Sequence, residues 1–259
     1  PDVPMAVVFD TAFHQTMPPE AYLYAIPYEY YTDYKIRKYG FHGTSHLFVS
    51  QEAARVLGKK PEEVKVITCH IGNGGSCAAV EYGKCIDTSM GLTPIDGLVM
   101  GTRCGDIDPS VVTYLMHKLN ISADEVLDIL NKKSGFLGVS GVSNDCRFVE
   151  EAAYEGNERA AIAMRLFSRR VKGYIGNYLA QLNGADALVF TAGIGENDAT
   201  VRADICEGLT NLGFKIDPER NHNRETIIST DDSEVTIMLI PTNEELVIAR
   251  DTARLVSEM

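Results

Sequence analysis

The sequence predicts an α/β fold built on a mixed β-sheet flanked by helices. Two β-rich runs, Val64 to Ile71 and Ser76 to Glu81, are joined by Gly72-Asn73-Gly74-Gly75, residue types that supply the φ > 0 of a tight hairpin. A third run, Cys85 to Thr88, follows the turn residues Gly83-Lys84 and completes an antiparallel meander. Later in the chain helical patterns alternate with β-runs at Ala187–Thr191 and Val235–Ile240, so the sheet has to mix antiparallel and other neighbours.

At the start of the chain, Met5 to Phe9 reads as a short buried strand ending at Asp10. The aromatic stretch from Tyr22 to Tyr39, broken by Pro27, reads as irregular. Leu47, Phe48, Ala54 and Leu57 recur at helical spacing behind a Thr44 cap and ahead of Gly58, which predicts a helix from Ser45 to Leu57. Beyond the meander, Asp108 is the expected cap of a helix with Pro109 at its first position, running to about Leu119. Ser122 and Glu125 have the spacing of a capping box that opens the next helix. Asn157 to Leu182 is small and apolar enough for a central buried helix despite Gly173 and Gly176. After the Ala187–Thr191 strand, Gly193 to Asn197 reads as a loop and Ala199 to Leu212 as a helix. The Val235–Ile240 strand precedes an amphipathic helix from Glu244 to Glu258.

With 259 residues, 45% hydrophobic and 23% charged, the chain can bury a core without disulfides, and it contains no apolar run of the roughly 20 residues that span a bilayer. A net charge of −12 opposes nucleic-acid binding, which calls for a basic patch, so an anionic ligand must be met by local donors. The six cysteines form no C-x-x-C pair and no His/Cys cluster with zinc spacing, which points to reduced core thiols and a cytoplasmic setting. The opening Pro1-Asp2-Val3-Pro4 lacks an initiator Met and runs at once into a β-pattern, so the chain is expected to be a fragment.

Glycine-rich turns are the first places to seek a phosphate site, because backbone N–H groups close on oxyanions only where no side chain intervenes. His70-Ile71-Gly72-Asn73-Gly74-Gly75-Ser76 is a hairpin rather than a strand-to-helix turn, and by its glycines alone a plain β-turn explains it as well. Thr191-Ala192-Gly193-Ile194-Gly195-Glu196-Asn197 follows a buried strand, where open α/β sheets place ligands. It lacks the third glycine and the acidic residue that a dinucleotide fingerprint requires. Arg103, held among glycines in Gly101-Thr102-Arg103-Cys104-Gly105, can reach a phosphate or serve a surface ion pair. His42 and His46 stand at i, i+4, but a cap at Thr44 puts His42 outside the helix and weakens a zinc reading. Asp10 suits a ligand-facing strand end and equally a turn.

In this order along the chain, Asp10, Phe41-His42-Gly43-Thr44-Ser45-His46, His70 to Ser76, Gly101-Thr102-Arg103, Gly193 to Asn197 and Thr242-Asn243-Glu244-Glu245 resemble the acetate kinase family, from about Val7 to Val256. That family shares a superfamily with actin, sugar kinases and heat-shock chaperone ATPases. The resemblance implies an RNase H-like (actin-like ATPase) lobe, with residues 1–259 forming the C-terminal nucleotide-binding and dimerisation domain of a homodimeric, two-lobed enzyme whose N-terminal domain is not in this chain. It implies that His70, Ile71, Gly72, Asn73 and Gly74 cover the ATP phosphates, that Asp145, Cys146 and Arg147 form a second nucleotide contact, and that Gly193, Ile194, Gly195, Glu196 and Asn197 cradle the adenosine. Asp10 matches the active-site aspartate, His42 and Arg103 the transition-state stabilisers, and Glu244 the magnesium-site glutamate, with Glu245 a one-residue alternative. Phe41 and Pro94 match the pocket for the acetate methyl group. The partners implied are acetate or acetyl phosphate and ATP or ADP, with Mg²⁺ (or Mn²⁺) as cofactor.

A carboxylate nucleophile with a pKa of about 4 to 5 is already ionised at neutral pH, so Asp10 is better read as a positioning group than as a base. Bringing two anions together is the difficulty, and cationic donors around the equatorial phosphoryl oxygens ease it. Without the other lobe the chain alone is expected to turn over acetate weakly or not at all. Propionate and butyrate remain open as substrates, and a non-catalytic ATP-dependent switch is the alternative of another class.

Overall fold

In the computed structural model, residues 3–258 are described. Pro1 and Asp2, from which the abrupt opening is read, and Met259 lie outside them. Strands β1 (Lys65–Ile71), β2 (Gly75–Glu81), β3 (Lys84–Thr88), β4 (Ala187–Thr191) and β5 (Thr236–Leu239) form one sheet in the order β3-β2-β1-β4-β5. The first three pair antiparallel, while β4 runs parallel to β1 and β5 parallel to β4. This is the mixed, helix-flanked sheet that the sequence predicts.

The helices are α1 (Pro19–Tyr22), α2 (Glu29–Tyr34), α3 (Gly43–Val56), α4 (Ser110–Leu119), α5 (Ala123–Lys132), α6 (Gly135–Ser140), α7 (Cys146–Tyr154), α8 (Glu158–Gln181), α9 (Ala192–Asn197), α10 (Ala199–Cys206), α11 (Pro218–His222) and α12 (Glu244–Ser257). Because side chains alternate along a strand, Ile67, Cys69 and Ile71 of β1 join one core with α7, α8 and α10, and Val66 joins another with α3 and α12. Central helix α8 buries Phe167, Val171 and Ile175, each worth about 1.5–3 kcal/mol of transfer free energy. Asn157 caps it by accepting from the Ala160 N–H. The result is a sheet covered on both faces, whose β1 and β4 carboxyl ends open together on one side.

Several local expectations need correction. Met5 to Phe9 forms no strand: Met5, Val7 and Phe9 are exposed and no neighbouring strand among the described residues takes up the backbone groups, which alternation alone cannot supply. The cap of α3 is His42, in left-handed backbone with φ 56°, and Thr44 lies inside the helix. Pro109 takes the cap position of α4, and the Asp108 carboxylate accepts from the Ser110 N–H. Gly193 to Asn197 is helical rather than a loop, because Glu196 Oε1 accepts from the Ala192 N–H and the Asn197 side chain donates to the Gly193 carbonyl. Gly208, at φ 76°, ends the next helix at α10, and Thr210–Leu212 becomes a separate 3-10 turn. The hairpin glycines Gly72, Gly74 and Gly75 do not adopt positive φ, so their use lies elsewhere.

Candidate active site

That use is close approach. A Cβ added to Gly74 would lie 3.4 Å from Nη1 of Arg103 and 3.8 Å from Nε2 of His42, so both side chains converge on the tip of the β1–β2 hairpin. Arg103 reaches there from the loop before α4, steadied by donating to the Pro94 carbonyl at 3.1 Å. His42 is held by its own backbone: its N–H donates to Asp10 Oδ2 at 2.6 Å, and the next N–H, that of Gly43, donates to the Asp10 carbonyl at 2.9 Å. The Gly43 position tolerates no Cβ, which would stand 2.2 Å from that carbonyl oxygen. A non-glycine residue in left-handed backbone is a local cost that the surrounding contacts must hold in place.

Behind His42 lies a cluster of imidazoles. His42 stacks on His70 with centroids 4.1 Å apart, and His70 Nδ1 shares a 2.8 Å hydrogen bond with Ser45. His46 is fully buried, with Nδ1 2.7 Å from Thr68 Oγ1 and Nε2 2.8 Å from Ser76 Oγ. Both of its nitrogens are thus engaged within the core, leaving none for a metal shared with His42. His14, which the sequence did not single out, is also fully buried, between Cys85 and the Phe41 carbonyl. Burial pulls His14 down to about 4 and His70 to about 3 and lowers His46 well below the usual range. For His42 burial likewise lowers the pKa, opposed by Asp10 and reinforced by Arg103. All four rings are therefore neutral near pH 7.

Beside the hairpin opens a cleft of about 760 Å³ whose walls include Gly72 and Asn73, Asp145 to Arg147, and Gly193, Ile194 and Asn197. The structure thus brings together three segments that are far apart in sequence. Asp145 caps α7 by accepting from the Arg147 N–H and pairs with the Arg147 guanidinium, which holds its carboxyl below the usual range. Not every predicted residue faces the cleft. Ile71 is core, Gly195 packs under Ile71, and Glu196 turns inward to accept from the Ala192 and Thr242 N–H groups. His70 supports His42 instead. The sequence reading missed Asn144, Glu150, Asp198, Thr200, His222 and Arg224, which with Ala199 complete the walls. Burial and then Asp198 raise the pKa of Glu150.

Glu244, the first residue of α12, is half-buried, and its carboxyl is raised by burial and then by the charge of Asp10, whereas Glu245 is exposed. Among the described residues no group of three or more His, Cys, Asp or Glu is arranged to hold a metal. Asp10 and Glu244, whose charges bear on one another, nonetheless offer the one or two carboxylates that Mg²⁺ takes, its shell being completed by water and phosphate oxygens; two residues before Glu244 the Thr242 hydroxyl is buried and unpartnered. Phe41 and Pro94 are tied to the same assembly, Phe41 through His14 and Pro94 through Arg103.

The Acetokinase family model matches residues 1–250. The acetate kinase of Thermoanaerobacterium thermosaccharolyticum is 62% identical over 262 residues, covering 100% of this chain and 66% of the relative. That of Thermotoga maritima is 58% identical over 264 residues, with 100% and 66% covered. Among solved structures, the acetate kinase of Porphyromonas gingivalis superposes with a TM-score of 0.94 at 48% identity, over 96% of this chain and 63% of that one. A propionate kinase from Francisella tularensis gives 0.91 at 52% identity, over 95% and 63%. The chain spans about 65–66% of the length of these curated relatives.

Proposed function

The chain belongs to the acetokinase family, and from that membership we propose that it forms the C-terminal, nucleotide-binding part, residues 1–259, of an enzyme that reversibly transfers the γ-phosphoryl group of ATP to acetate, giving acetyl phosphate and ADP. The observation that carries this reading is the convergence of Arg103 and His42 on Gly74, at the edge of a cleft large enough for a nucleotide. An adenosine-binding switch has no need of two such donors aimed at the hairpin tip.

In this reading the adenosine lies against Gly193, Ile194 and Asn197, and the phosphates reach the backbone of Gly72 to Gly74 beside Asn73. Asp145 to Arg147 bound the opposite wall. Arg103 and His42 meet the phosphoryl group as charge spreads over its equatorial oxygens, and their fixed placement is the catalytic contribution. Asp10 orients rather than accepts a proton, since a carboxylate acceptor is already ionised at neutral pH and needs no base, and Oδ2 of Asp10 holds the His42 backbone by accepting from its N–H. Glu244, facing Asp10, would hold a magnesium (or manganese) ion, which when bound supplies positive charge to the phosphate oxygens. Phe41 and Pro94 border the acid's methyl group. A cytoplasmic homodimer completes the proposal, with α4 and its flanks as the contact face: α4 buries no residue, and Ile107, Tyr114, Leu119 and Leu127 are exposed.

Titration of the chain with ADP by calorimetry tests the nucleotide site, and hydroxylamine trapping of acetyl phosphate tests transfer. Saturable ADP binding that Asn73→Ala and Arg147→Ala weaken is expected. No binding at millimolar ADP would remove the reading. A second reading, propionate or butyrate as acceptor, is favoured by the likeness to the Francisella propionate kinase, and one methylene in an apolar pocket is worth only about 1–3 kcal/mol. Comparing kcat/KM for the three acids, in an enzyme containing this chain, decides between them.

A further inference from the structure

Arg202, in α10, is among the largest side chains fully buried in the protein. Its acceptors belong to the two neighbouring helices. Nη1 donates to the Gly195 carbonyl of α9 at 2.8 Å, Nε to Oδ1 of Asn221 in α11 at 2.7 Å, and Nη2 to the Asn221 carbonyl at 2.9 Å. Asn221 is buried too, and its Nδ2 donates back to the Ala199 carbonyl, at the start of α10, at 2.8 Å. Each guanidinium nitrogen thus has a partner, and one planar fork spans three helices. Burial pulls the pKa of Arg202 down to about 10, which leaves it a cation at neutral pH. A cation out of water depends on its hydrogen bonds, so a displacement of α9 or α11 would strand buried charge, and the three helices are held in one arrangement.

Those three helices build one side of the cleft. Gly193, Ile194 and Asn197 come from α9, Thr200 from α10, His222 from α11 and Arg224 from just beyond it, while the hairpin and Asp145 to Arg147 border the cleft from other elements. Arg202 is not a lining residue and lies beneath the wall. Its influence reaches Arg224 through a shared acceptor: the Asn221 carbonyl that takes Nη2 of Arg202 also accepts from the Arg224 N–H at 3.3 Å. Arg224 stands in left-handed backbone, φ 58°, a conformation that the surrounding contacts must hold in place. The fork therefore bears on the side of the cleft assigned to the adenosine, and not on the hairpin assigned to the phosphates.

We propose that Arg202 is a positioning residue for the nucleoside: without touching the ligand, it ties α9, α10 and α11 together and keeps the adenosine side of the cleft preformed. The purpose of the tie rests on the nucleotide reading; its geometry does not. Native-state hydrogen exchange without nucleotide tests the tie. The amides of residues 195–198 and 221–225 should open with one urea dependence in the unaltered chain, and both sets should exchange faster in Arg202→Met. Separate opening in the unaltered chain overturns the proposal, as does unchanged exchange in the variant. NMR titration with AMP and ADP tests the purpose. Once the wall is no longer preformed, His222 and Arg224 have to be ordered on binding, so both ligands should weaken by a common factor of roughly tenfold, since the loss falls on the nucleoside they share. A merely structural arginine would lower the urea midpoint and leave the affinities of the folded molecules unchanged. That result overturns the proposal, and so does a loss for ADP that AMP does not share. Arg202→Lys keeps the charge but replaces the fork by a single nitrogen, and it serves with the same expectations if Arg202→Met does not fold. An unaltered chain that binds neither AMP nor ADP counts against the nucleotide reading, and the exchange result then decides the tie by itself.

Discussion

His14 illustrates how a residue can matter to the site while carrying no sequence signal. It sits fully buried between Cys85 and the Phe41 carbonyl, and its pKa is pulled from 6.5 to about 4 by burial. The unfolded chain binds a proton there below pH 6.5 and the folded chain does not until about pH 4. The stability this site supports is therefore complete above pH 6.5 and drains as pH falls towards 4, by on the order of 3 kcal/mol. His14→Gln should flatten the fall of the urea midpoint between those pH values; an unchanged acid slope would count against it. Gly74→Ala probes the other side of the cluster. The added methyl meets Arg103 and His42 at ordinary contact distances, so stability should change by less than about 1 kcal/mol. Because the methyl stands where the two donors converge, ADP affinity should still fall, by roughly tenfold or about 1.4 kcal/mol. Equal ADP affinity in the two proteins would detach the hairpin tip from nucleotide binding. Arg103 and His42 were legible because their glycine-rich surroundings marked them, whereas the partners of His42 were not, since Thr68, Ser76 and His46 meet only after the sheet has formed.

Elements with local signals were read closely. Ser122 accepts from the Glu125 N–H while the Glu125 carboxylate accepts from the Ser122 N–H, the reciprocal box that the spacing predicts at the start of α5. The β1–β2 and β2–β3 hairpins, β4 and α8 also fell close to their expected places. Elements that depend on distant partners were not legible. Met5 to Phe9 has the right residues for a strand and no neighbouring strand among the described residues, and α9 is closed by Glu196 and Asn197 despite its glycines. The α3 N-terminus shows how tightly such a junction can be specified: a Cβ on Gly43 would lie 2.2 Å from the Asp10 carbonyl. Gly43→Ala should cost about 1–3 kcal/mol in urea unfolding and displace the Asp10–His42 contact, because a backbone oxygen cannot rotate away as a flexible side chain would. Wild-type stability in that variant would mean that the loop from Asp10 yields freely.

At the scale of the whole molecule, the sheet order puts the carboxyl ends of β1 and β4 side by side, which is why the hairpin and α9 can share one cleft. The sequence indicated the strands, but their order was implied only by the family resemblance, because the pairing of β1 with β4 spans more than a hundred residues. The face carrying α4 is a different matter. No residue of that helix is buried, yet Tyr114 and Leu119 are large, apolar and exposed, and a stable dimer needs about 800 Å² from each partner. If this face joins two copies, an aspartate in place of Tyr114 buries a charge at the centre of the contact, a cost that a hydrophobic interface cannot offset. Tyr114→Asp should therefore shift sedimentation equilibrium from dimer to monomer while leaving ADP binding, in a cleft to which α4 contributes no lining residue, within twofold of the unaltered chain. A Tyr114→Asp protein that remains dimeric would place the interface elsewhere, and an unaltered chain that sediments as a monomer would remove the dimer from this part of the protein.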